Sequence, residues 1–157
     1  MTWDEVINNP FLQNLPFKIE LNQFGQILMS PASNKHGAIQ FQVGLEITRR
    51  RKKGRVITEC SIETSDGVKV ADVVWASDEF IEEFGMQTPY PKAPEICVEI
   101  ISPSNSKREI TPKVDLYLAK GAQEIWIVSE DQKLMVFTHT GIVKKSKLVP
   151  KISLSKR

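Results

Sequence analysis

No apolar run in this chain of 157 residues approaches the roughly 20 that span a bilayer. The N-terminus, MTWDEVINNPF, is acidic and carries no apolar signal core. These two absences lead to the expectation of a soluble, cytoplasmic protein with no membrane partner. Cysteine is scarce. Cys60 and Cys97 lie far apart in strand-like segments without metal-ligand spacing, which argues against a cysteine metal site and for buried, reduced thiols. No charge of one sign dominates, and a net charge of +2 excludes a polybasic binder of nucleic acid. There is no repeat, no low-complexity linker and no break in composition. The length therefore suits one domain, 1–157, with a real core.

What charge there is falls in blocks. RRRKKGR holds six cations, Arg49, Arg50, Arg51, Lys52, Lys53 and Arg55, broken by one glycine. The tail KKSKLVPKISLSKR is rich in lysine. Such blocks are either solvated faces or sources of phosphate contacts.

The order of elements is legible in the pattern. Residues 2–8 fit a short helix capped by Thr2. FKIELNQFGQILMSP reads as paired strands around a turn at Asn22–Gly25. From Asn34, apolar residues at helical spacing (Ile39, Val43, Ile47) run to a stop before Gly54. RVITECSIET and VKVADVVWAS are strands joined at SDG, and DEFIEEFG is a short helix stopped by Gly85. EICVEII, a helix ending at Gly121 and EIWIVS form one βαβ crossover. Pro112 predicts that the regular part of that helix begins near it. KLMVFTH closes the series as a strand. The result is a mixed sheet with helices packed on it, in the α/β to α+β class.

Carboxylates interrupt otherwise apolar strands at Asp72, in VADVV, and at Glu99, in CVEII. An unpaired buried charge is costly. If the strands are neighbours, the acids converge at one sheet edge, where they repel unless something positive lies between them. A hard divalent cation with oxygen ligands is one solution, and a salt bridge to a nearby lysine is the other. Past the turn Ser102-Pro103-Ser104-Asn105, the helix places Glu109, Lys113 and Tyr117 four residues apart on one face. That stripe either looks back at the strand ends or faces solvent.

Asp72 in VADVV, then PEICVEIISPS, then REITPKVDLYLAKGAQEIWIV resembles the Uma-two family of restriction endonucleases, within the PD-(D/E)XK nuclease superfamily. FKIELNQFGQILMSPASNKHGAI is a looser match to the family's upstream strand pair, Ser-Pro and histidine. Ala71 stands where the motif has proline, Ile101 where the superfamily places its lysine, and Asn22 where the family usually has an acid.

The resemblance implies a restriction-endonuclease-like mixed sheet flanked by helices. It implies metal-dependent hydrolysis of phosphodiester bonds in nucleic acid, DNA before RNA, with Mg²⁺ or Mn²⁺. Asp72, Glu99 and Lys113 would be catalytic. Asp72, Glu99 and the Ile100 carbonyl would hold the metal. Glu20, His36, Glu109 and Tyr117 are further candidates. Residues Arg49, Arg50, Arg51, Lys52 and Lys53 would flank the cleft and hold the nucleic-acid backbone. Small nucleases of this kind often pair, so a homodimer is expected. With repulsion as the dominant force among the acids, Asp72→Asn should leave the fold intact. The competing reading is a non-catalytic module of the same fold that binds nucleic acid or a protein partner.

Overall fold

The computed structural model describes residues 1–102 and 107–154, the side chains of 107–109 excepted. Helix α1 (Trp3–Ile7) forms where the chain supplies its own cap. The Thr2 side chain accepts from the Glu5 N–H, and the Glu5 carboxylate accepts from the Thr2 N–H. After a 3-10 turn at Pro10–Leu12 come the antiparallel strands β1 (Phe17–Leu21) and β2 (Ile27–Pro31). Asn22 organises their turn by accepting from the N–H groups of Phe24 and Gln26. Ser33 caps α2 (Asn34–Arg50) by accepting from the His36 N–H.

Strands β3 (Arg55–Thr64) and β4 (Gly67–Ala76) form a long hairpin closed by Ser65 and Asp66. Gly67 is required there twice over. Its φ is 76°, and a Cβ would meet the Leu21 carbonyl oxygen at 2.5 Å. Then follow α3 (Asp78–Phe84), β5 (Ile96–Ile101), α4 (Lys107–Ala119), β6 (Glu124–Ser129), β7 (Leu134–Thr138) and β8 (Gly141–Val143). The six strands from β3 to β8 lie side by side in chain order. Only the β5–β6 pair is parallel, and it is the expected crossover through α4.

Two departures from the sequence reading stand out. Helix α4 begins at Lys107, so Pro112 lies inside it rather than in its first turn. Strand β8 is too short to announce itself and exists by pairing with β7.

Each sheet face is covered. Ile39, Val43 and Ile47 of α2 pack on Val73, Trp75, Ile96 and Val98. Phe80 of α3 and Val114 and Tyr117 of α4 pack on Val74, Cys97, Ile125 and Ile127. Burying an aliphatic side chain of this size contributes roughly 1.5–3 kcal/mol. Cys60 and Cys97 are free, buried thiols, and burial pushes Cys60 up to about 12. Among the described residues no helix is long and apolar enough to cross a membrane.

Candidate active site

The site forms where β4 and β5 part. Their pairing runs from Trp75 opposite Ile96 to Val73 opposite Val98. The next positions along each strand are Asp72 and Glu99. In place of a further rung, the Ile100 N–H donates to Asp72 Oδ2 at 2.7 Å.

Strand β4 is also irregular at this point, although its register with β3 is the same on either side. Ala71, Val74 and Ala76 pack in one core and Val73 and Trp75 in the other, so strict two-residue alternation breaks at Asp72. Opposite it, Glu59 adopts a left-handed φ of 52°. Gln40 Nε2 bridges the irregularity, 2.8 Å from Glu59 Oε1 and 2.8 Å from the Asp72 carbonyl. Distortions of this sort re-aim side chains next to functional sites.

Strand β1 crosses this opening and brings Lys18 and Glu20 on one face. The Lys18 ammonium sits between the two acids, 2.9 Å from Asp72 Oδ1 and 3.3 Å from Glu99 Oε2. Glu20 Oε2 accepts from the Val70 N–H at 2.7 Å. Glu20 Oε1 lies 2.9 Å from Lys113 Nζ, which is also 3.5 Å from Glu99 Oε1. Tyr117 donates its hydroxyl to Glu99 Oε1 at 2.7 Å. His36 Nε2 is 3.2 Å from Asp72 Oδ1. Asp72, Glu99 and Glu20 are all buried, with exposures of 1%, 6% and 6%. Three buried carboxylates thus share two ammonium groups.

Their protonation follows from that crowding. Burial pushes Asp72 up, but Lys18, His36 and the Ile100 N–H outweigh it and hold Asp72 well below the usual carboxylate range. Burial raises Glu99, reinforced by Asp72 and Glu20 and opposed by Lys18 and Lys113. Burial lowers Lys18, yet Glu99, Asp72 and Glu20 prevail and hold it above the ordinary lysine value. The hydrogen bond to Asp72 is the main reason His36 is raised. Tyr117 is raised by burial and then by Glu99.

Of the residues singled out in the sequence, Asp72, Glu99, Lys113, Glu20, His36 and Tyr117 belong to one connected cluster. The Glu109 side chain, and the turn residues 103–105, lie outside the described residues. Between Asp72 and Glu99, the sequence left open a metal or a lysine, and the structure holds Lys18 there. Among the described residues no group of three or more His, Cys, Asp or Glu side chains is arranged to hold a metal.

The basic block lies at the other end of α2 from His36. His36 opens α2 and Arg49 and Arg50 close it, about 20 Å apart at 1.5 Å per residue. Arg49 and Arg50 pair with Glu46, and Arg51 lies 4.3 Å over the Trp75 ring. The sequence reading missed Lys18 and Gln40. Lys18 carried a usable signal, since alternation in FKIEL puts it on the face of Glu20.

No curated protein matches the chain. Among solved structures it is similar to that of a "putative nuclease belonging to DUF820" from Anabaena variabilis, with a TM-score of 0.76 and 24% identity over 99% of this chain and 94% of that one. That likeness establishes the fold, a mixed sheet flanked by helices. Residues 3–151 match the model of the family Uma2, described as "Putative restriction endonuclease", and the chain belongs to that family.

Proposed function

We propose that this protein is a divalent-metal-dependent endonuclease that hydrolyses phosphodiester bonds in nucleic acid, with DNA as its substrate. The observation that carries the reading is the convergence of Asp72, Glu99 and Glu20 with Lys113 at the parting of two central strands. The donor set fits Mg²⁺ or Mn²⁺ in kind, because carboxylate oxygens are the ligands hard cations take. Asp72 and Glu99 would hold the ion. When bound, it polarises a phosphate and lowers the pKa of a bound water.

The chain's own groups supply the rest. The Ile100 N–H fixes one oxygen of Asp72 and leaves the other facing the cluster. Tyr117, wholly buried, orients Glu99 and does not meet substrate. Lys113, anchored by Glu20, presents positive charge where negative charge develops on the phosphate. His36 lies at the cluster's partly exposed rim, where it can exchange a proton with solvent.

The test is a cleavage assay with Mg²⁺ and Mn²⁺ on duplex DNA, single-stranded DNA and RNA. DNA cleavage that EDTA and Asp72→Asn both abolish is expected. Inactivity on every substrate with both metals, with no metal-induced rise in melting temperature, would overturn the reading. One observation favours a second reading, a non-catalytic module that binds nucleic acid. Lys18 already neutralises the acids that would hold the metal. Metal-independent DNA binding without cleavage would select it.

A further inference from the structure

We infer that Lys18 is a built-in competitor for the divalent cation, and that metal reaches Asp72 and Glu99 only by exchange with its ammonium group. This rests on the metal-binding reading above and adds to it the residue that sets the affinity.

The geometry is specific to one lysine. Lys18 touches both acids that would hold the ion, at 2.9 and 3.3 Å. Lys113 instead pairs with Glu99 and Glu20. An ion held by both Asp72 and Glu99 would take the position that the Lys18 ammonium fills between them. Removing Lys18 therefore does two things. It vacates the position, and it leaves three carboxylates facing one ammonium instead of two. Removing Lys113 changes the charge by the same amount but vacates nothing between Asp72 and Glu99.

The displaced side chain has somewhere to go. Lys18 also lines a cavity of about 330 Å³ whose wall includes Phe17, Ile19 and the Glu59 side chain. Its aliphatic stem can lie on the apolar wall while the ammonium meets the Glu59 carboxylate. Lys18 is thus poised between two acidic environments, and only one of them must be empty for a metal to bind.

Isothermal calorimetry with Mn²⁺ on metal-stripped wild type, Lys18→Met and Lys113→Met tests the exchange. Lys18→Met should bind at least about tenfold more tightly than wild type, and Lys113→Met should gain much less, since it relieves charge alone. Equal gains in both variants, or no gain in Lys18→Met, would overturn the exchange while leaving the metal site standing. No Mn²⁺ binding by any of the three would end both the inference and the metal reading. If Lys18→Met does not fold, amine labelling of the wild type read by mass spectrometry decides. Lys18, whose side chain is 11% exposed, should label faster with saturating Mn²⁺, and an unchanged rate would overturn the exchange.

Discussion

Tyr117 and Glu99 are joined by a hydrogen bond of 2.7 Å between α4 and β5, both side chains being buried. It ties the crossover helix to the acid at the strand end. Tyr117→Phe keeps the ring and removes the donor. Glu99 Oε1 then retains only Lys113, at 3.5 Å. The expected loss of stability is about 1–3 kcal/mol, read by urea denaturation. Cleavage should fall because Glu99 is no longer held in place. A variant as stable and as active as wild type would show that the hydroxyl orients nothing.

Asp72→Asn should destabilise the protein as well as silence it. Repulsion among the acids suggested the opposite from sequence, but the structure pairs Asp72 with the Lys18 ammonium and His36. The amide still accepts from the Ile100 N–H yet presents no charge to Lys18. Breaking a buried pair from one side costs about 3–5 kcal/mol, a fall in melting temperature on the order of 10 °C for a chain of this size. Adding Lys18→Met should recover much of that loss, because an apolar replacement of the whole pair is close to neutral. A double mutant no more stable than Asp72→Asn would show that Lys18 and Asp72 are not energetically coupled.

His36 gives the site a pH dependence of known sign. Its pKa is raised in the folded protein, chiefly by the hydrogen bond to Asp72. The native state then binds the proton more tightly than the unfolded chain, where histidine titrates near 6.5. The stabilisation is complete below that value and is lost as pH rises through the higher folded one. Denaturation of wild type and His36→Asn at about pH 5.5 and 8.5 checks it. The wild-type advantage should shrink at the higher pH, and a constant difference would contradict the shift.

How much of this was readable beforehand divides along contact range. The β5–α4–β6 crossover followed from apolar runs around a helical pattern. Asp72 and Glu99 announced themselves as acids in apolar strands. Glu20 came only with the family resemblance, which also gave Lys113 a role where its helical spacing was as good for a solvated face. Lys18 was missed because its partners lie 54 and 81 positions away. Alternation placed its side chain on one face of β1, but nothing local says that β1 lies across the opening between β4 and β5. The break in β4 alternation at Asp72 is equally non-local, being propped by Gln40 from α2 and by the left-handed Glu59. The basic block belongs with these non-local features. Clustering in sequence measured its charge but not its distance from the acids.

That block yields the last prediction. Arg50 donates to the Lys151 carbonyl and pairs with Glu46, while Arg51 donates to the Leu148 carbonyl. These arginines fasten the C-terminal segment to α2, so truncating them would confound binding with folding. Lys52 and Lys53 are exposed and can be removed without that penalty. If they held phosphates, each would release counterions on binding, and Lys52→Ala with Lys53→Ala would flatten the salt dependence of DNA affinity by roughly 0.9 per contact in the log–log slope. With the end of α2 about 20 Å along the helix from His36, we expect the slope and the cleavage rate to stay unchanged. Fluorescence anisotropy of a labelled duplex across salt concentrations reads the first, and the nuclease assay reads the second. A slope reduced by about two would place the nucleic-acid backbone along the whole of α2 and enlarge the binding surface well beyond the acids.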